Sequence, residues 1–164
     1  MLNIAHYCLY KADYKFHLLT NKINPFLLLG RMPLLKRRFE EKGTSLVEVV
    51  DEVWGNKHYG FGLMLSGGIL FSLIFVLVWG IISCLLGFFK IYFIVEIGYI
   101  VAYALVSYMI CHLLVFRKGK YLKYFKKLDS RSRSEKWNYA LITLLFVIIS
   151  IAIWLYSFRF SPKL

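Results

Sequence analysis

The sequence predicts an all-α integral membrane protein with three transmembrane helices. Two of them form a tight helical hairpin and a third follows, with a cytoplasmic region of short amphipathic helices in front. Three observations predict this class. Apolar residues make up 59% of the 164 positions, against roughly 45–50% in typical globular chains. They are gathered in blocks: His58 to Phe89 contains no Asp, Glu, Lys or Arg, and Ile91 to Phe116 contains one, Glu96. Finally, the basic residues crowd beside these blocks, where lipid headgroups and topology control would place them.

The division that follows is 1–60 as the cytoplasmic N-terminal region, 61–116 as the hairpin turning near Lys90, 117–136 as a basic amphipathic cytoplasmic loop, 137–158 as the third span and 159–164 as a short outer tail. The formal net charge of +12 would suggest nucleic acid in a soluble chain. Cations beside hydrophobic spans point to anionic lipid instead, and no nucleic-acid-binding motif is present. Three cysteines, Cys8, Cys84 and Cys111, make no disulfide framework. Lys11, Asp13 and Lys15 interrupt the stretch where a cleavable signal would need its apolar run, so the first span is expected to act as an uncleaved anchor.

In the N-terminal region, Leu2, Leu9, Phe16 and Leu19 fall near one helical face. They predict a helix over 1–22 that either rests on the membrane surface or packs on the rest of the region. Residues 23–33, with Pro25 and Pro33 around an apolar run, read as an irregular connector. Leu34 to Lys42 is a short basic helix broken by Gly43-Thr44. Ser45 with Glu48 three residues on has capping-box spacing, and opens an amphipathic helix over 46–54 that stops at Gly55-Asn56.

The first span is long and glycine-rich. Gly62 with Ser66, Gly68 with Ser72, Gly80 with Cys84, and Ser83 with Gly87 are small residues four apart. Such pairs let membrane helices approach closely. Gly98 with Ala102, and Ser107 with Cys111, repeat the pattern in the second span. In 117–136, Tyr121, Tyr124, Phe125 and Leu128 define an apolar face, with Lys120, Lys123, Lys126 and Lys127 around it as expected lipid-headgroup contacts. Ser134 is the expected cap of the third helix.

Nine Lys or Arg lie in 1–60, one in the first connection, nine in 117–136 and two in the tail. Three spans put the two rich segments on one side. The positive-inside rule makes that side cytoplasmic, with the C-terminus outside a plasma membrane. Trp54, Tyr59, Tyr121, Tyr124, Trp137 and Tyr139 then mark the inner interface, and Phe88, Phe89, Tyr92, Trp154 and Tyr156 the outer one.

One residue stands out chemically. Glu96 is a carboxylate inside a span, costly if unpaired and therefore a functional hypothesis. Six residues from Lys90, it lies about 9 Å from that end of the helix. Arg159 and Ser83 are its expected partners across the outer end. Cys111 and His112 are adjacent, point about 100° apart on a helix and chelate poorly. No catalytic motif, metal site or cofactor is expected.

The leading functional expectation is a small non-enzymatic membrane protein. It would act by helix packing with a membrane-protein partner or a second copy of itself, as an accessory subunit or an immunity-type protein would. The alternative is an oligomeric channel, pore or transporter subunit using Glu96. A lipid-directed enzyme finds no polar constellation to support it.

Overall fold

A computed structural model of the chain describes residues 1–25, 27, 32–91 and 96–160. The described residues are helical, with no strand among them. The elements are α1 (Leu2–Asn21), α2 (Pro33–Glu40), α3 (Leu46–Gly55), α4 (Phe61–Phe88), α5 (Ile97–Cys111), α6 (Lys120–Asp129) and α7 (Arg133–Ser157). Between α5 and α6 run a π turn (His112–Phe116) and a 3-10 turn (Arg117–Gly119), and a last 3-10 turn (Phe158–Phe160) follows α7. Three helical segments are long and apolar enough to cross a membrane: Phe61–Phe88, Ile97–Asp129 and Arg133–Phe160.

The chain forms two compact units, residues 9–67 and residues 1–8 with 68–164. In the smaller unit, the later turns of α1 lie against α3. The Ser45 hydroxyl accepts from the Glu48 amide at 3.2 Å and Glu48 Oε2 accepts from the Ser45 amide at 2.9 Å, closing the capping box. Pro33, expected in the connector, instead opens α2. Its fixed φ suits a first helical turn, where its missing N–H is no loss. Of the rest of the expected connector, residues 23–25, 27 and 32 are described, Pro25 and Leu27 in helical rather than irregular backbone, and Phe26 and residues 28–31 lie outside the described residues.

α2 and α4 end in the same way with different residues. After α2, the Thr44 amide reaches Phe39 O at 3.0 Å and the Gly43 amide reaches Glu40 O at 2.9 Å. After α4, the Ile91 amide reaches Leu86 O at 2.9 Å and the Lys90 amide reaches Gly87 O at 3.0 Å. Both are Schellman caps, which need a left-handed residue just past the helix. Gly43 (φ 67) fills that position after α2, and Lys90 (φ 55) fills it after α4.

The second long helix starts later than expected. α5 begins at Ile97, with Glu96 as its extended N-cap residue (φ −95, ψ 159). Residues 92–95 lie outside the described residues, as does the tail 161–164. The interface marker Tyr92 falls in that gap. α7 starts earlier than expected and is capped by Ser132 rather than Ser134. Ser132 Oγ accepts from the Glu135 amide at 3.3 Å, and Glu135 Oε2 accepts from the Ser132 amide at 3.1 Å. Ser134 falls inside the first turn, because the box needs its acid three residues on and only Ser132 has one.

In the larger unit the long helices meet along seams of small and hydroxyl residues. Thr143, Ser150 and Ser157 recur every seven residues on α7 and are 6%, 0% and 1% exposed. Each hydroxyl donates within its own helix, to Tyr139 O (2.8 Å), Phe146 O (2.8 Å) and Trp154 O (2.6 Å) respectively. Ser107 on α5 does likewise to Tyr103 O at 2.7 Å. Their hydroxyl donors are thereby satisfied within the helix, and their small size lets backbones approach. At Gly80 a Cβ would stand 3.0 Å from the Trp154 backbone and from the Ile153 side chain, and at Gly87 it would press still closer on the Phe160 ring. On the other flank Trp79 meets the Tyr103 ring at 5.9 Å.

Candidate functional site

The predicted intramembrane set does not assemble. Glu96 is an exposed N-cap residue whose side chain caps nothing. Ser83 is 8% exposed, packed within α4's buried side, and Arg159 is exposed. Among the described residues, neither Arg159 nor Ser83 makes an ion pair or hydrogen bond with Glu96. The expectation counted Glu96 as a residue inside a span, six positions from Lys90. The helix begins after it, so the geometric reflection that set it opposite Ser83 does not apply.

The small-residue pairs divide into two groups. Gly62 and Ser66 face inward, Gly62 against Asp13 and the Trp54 backbone, and Gly80 faces α7. Cys84, four residues on, borders an apolar groove of about 560 Å³ between α4 and α7 with Leu85, Phe88, Ala152, Ile153 and Tyr156. Gly68 with Ser72, and Gly98 with Ala102, are exposed, and a Cβ at either glycine would meet nothing within 4 Å.

The most developed polar arrangement lies where α5 ends. The π turn hands the Arg117 amide to His112 O, and the chain then leaves the helical path through two left-handed residues, Lys118 (φ 56) and Gly119 (φ 63). A helix that ends so abruptly leaves carbonyls without amide partners. Side chains from elsewhere meet them. Lys120 Nζ donates to Leu113 O at 3.1 Å, and Asn3 Nδ2 donates to Leu114 O at 3.0 Å.

Around this turn the first residues of α1 pack onto α6. His6, fully buried, lies 5.3 Å from Phe116, 5.8 Å from Tyr121 and 5.2 Å from Phe125 between ring centroids. Tyr7 meets Phe125 edge-on at 5.4 Å, and its hydroxyl donates to Asp129 Oδ1 at 2.9 Å. Burial, and then the Asp129 carboxylate beside it, push the Tyr7 phenol well above its ordinary range. Burial also raises the Cys8 thiol, with Thr143 hydrogen bonding acting against it. Lys136 Nζ donates to Asp129 O at 2.7 Å, placing a cation where the helix dipole of α6 is negative.

A second polar cluster occupies the smaller unit. His17 stacks flat on Trp54 (4.3 Å, 3°), and the Trp54 indole N–H donates to Asp13 Oδ2 at 2.9 Å. His17 Nε2 lies 3.0 Å from Asp51 Oδ1, to which Asn21 Nδ2 also donates at 2.6 Å. Asn21 Nδ2 is itself 2.9 Å from His17 Nε2. Three atoms in a triangle cannot all share hydrogen bonds. With Asp51 as the common acceptor, the arrangement fits His17 carrying its proton on Nε2. Tyr10 hydroxyl donates to Gly55 O.

These clusters tie helices together rather than expose reactive groups. Among the described residues no three His, Cys, Asp or Glu are placed to hold a metal ion. Sequence reasoning missed the parts played by Asn3, His6 and Tyr7 and the seven-residue hydroxyl repeat on α7. The repeat was legible as a period; the α1 contacts had no local signal. Of the predicted headgroup lysines, Lys120, Lys123, Lys126 and Lys127 are all exposed, and Lys120 is partly committed to Leu113. Comparison with protein families, with characterised proteins and with solved structures finds no match for this chain.

Proposed function

We propose that this chain is a small non-enzymatic integral membrane protein whose outward helix faces pack against a membrane partner or a second copy of the chain. The observation that carries the reading is how little of each long helix is covered. Over their most apolar windows, 28%, 22% and 17% of the residues are buried. Within those uncovered faces, Gly68 with Ser72 and Gly98 with Ala102 offer places where another helix backbone could come close. The polar clusters support the same reading, since their hydrogen bonds run between the protein's own helices.

In the proposed topology, the N-terminal region and residues 117–136 are cytoplasmic and the C-terminus is outside, in a plasma membrane. Support comes from the basic residues, eighteen in the two cytoplasmic segments against three in the remainder. The amphipathic character of the N-terminal helices and the hairpin form of the first two spans belong to this proposal.

The test is association in mild detergent, read by in-bilayer crosslinking and co-purification. Gly68→Leu with Gly98→Leu should leave helix content and thermal midpoint unchanged, because nothing packs there, while abolishing association. A chain that stays monomeric and recovers no partner would overturn the reading. The exposed carboxylate of Glu96 at the start of α5 keeps a second reading open, an oligomeric pore lined by that residue. It requires ionic conductance in liposomes at high protein density that Glu96→Gln removes.

A further inference from the structure

Helix α6 carries four lysines in ten residues, yet its apolar face is not free to enter a bilayer. Phe125 is 0% exposed and Leu128 4%, and the Phe125 ring is covered by His6 and Tyr7 of α1. An interfacial amphipathic helix binds largely through buried apolar area. Of that face only Tyr124, 43% exposed, is largely uncovered, with Tyr121 half-buried.

The cations on the other side are differently placed. Lys120 and Lys136 are engaged with carbonyls, and Arg131 pairs with Glu135. Arg117, Lys118, Lys123, Lys126 and Lys127 are exposed. Of the two acids of the segment, Glu135 is held by Ser132 and Arg131, and Asp129 accepts from Tyr7.

Depth follows from length. Ile97 to Phe116 is uninterrupted by Asp, Glu, Lys or Arg. Twenty helical residues span about 30 Å, the thickness of a hydrocarbon core. Arg117 therefore emerges at headgroup level, and the turn at Lys118-Gly119 comes as the chain leaves the hydrocarbon.

We propose that Arg117, Lys118, Lys123, Lys126 and Lys127 form a non-inserting electrostatic surface that binds the phosphates of anionic phospholipids in the protein's own bilayer. Lys120 serves the π turn instead. This inference does not depend on what the outward faces of the spans recruit. Because the contact is ionic and solvent-exposed, it weakens as salt shortens the screening length from about 14 Å to about 4 Å between 50 and 500 mM.

The experiment titrates the purified full chain in zwitterionic detergent with fluorescent short-chain phosphatidylglycerol and its phosphatidylcholine counterpart. At about 50 mM salt the anionic lipid should bind at least tenfold more tightly, from a contribution of roughly fivefold per lysine near the surface. The preference should fall toward unity at about 500 mM. Lys123→Gln, Lys126→Gln and Lys127→Gln together should remove it with the thermal midpoint unchanged, and Tyr124→Ala should change it less than twofold. The salt titration of the wild-type chain stands even if the triple variant fails to fold. Equal affinity for the two lipids, a preference indifferent to salt, or its loss in Tyr124→Ala would overturn the proposal. So would displacement by about 10 mM inorganic phosphate or by duplex nucleic acid, each of which would assign the surface to a soluble ligand.

Discussion

At the scale of single residues, the two Schellman caps make a controlled comparison within one chain. Gly43 has no side chain to strain at φ 67, whereas Lys90 holds φ 55 with a Cβ. A left-handed residue other than glycine costs about 1–2 kcal/mol. Lys90→Gly is therefore expected to stabilise the protein by about 1 kcal/mol, measured by reversible denaturation in detergent. Its removal also takes away the one cation of the first connection, so topology should be mapped in the same variant. Tyr7 gives a pH dependence of definite sign. Its pKa is raised in the folded protein from an ordinary value of 10.0. The unfolded chain loses the proton first, so the stabilisation from this group is complete below that value and is lost as pH rises above it. The thermal midpoint should fall as pH rises above about 10, and Tyr7→Phe should flatten the fall because it has no proton to lose.

At the scale of elements, helix ends and helix seams obey different rules. Ends are set locally: Ser45 with Glu48 and Ser132 with Glu135 close capping boxes from four consecutive residues each. Seams are set by size. Gly80 sits where a side chain would press on the Trp154 backbone, and backbone cannot move aside as a flexible side chain can. Gly80→Leu should consequently separate α4 from α7 and destabilise by about 1–3 kcal/mol or more through overpacking, whereas Gly68→Leu should be close to neutral for the isolated chain. Comparing the denaturation midpoints of the two variants checks this contrast between an occupied and an open face. The π turn belongs to the same scale. It lets α5 end abruptly at the edge of its apolar run, and Asn3 and Lys120 supply the donors that the missing next turn would have provided.

At the scale of the whole molecule, legibility followed the range of the forces. Block hydrophobicity made the three long helices readable, because a helix of roughly twenty apolar residues is a consequence of composition alone. Reading Ile91 to Phe116 as one continuous helix failed at its start. Hydropathy does not fix where a helix begins, and Glu96, read as inside the span, is the N-cap residue of α5. The aromatic residues show the same limit. Trp54 and Tyr121 suit a membrane interface by type, yet Trp54 lies on His17 and Tyr121 beside His6.

The sequence by itself determined the helical membrane class, the caps built from neighbouring residues and the concentration of charge in 1–60 and 117–136, since each depends on composition or on contacts within a few positions. Only the tertiary structure decided which glycines are occupied and which are open, and that Phe125 on the apolar face of α6 is covered by His6 and Tyr7 of α1. Those outcomes join residues as far apart as Tyr7 and Asp129, and no local pattern encodes a contact across more than a hundred positions.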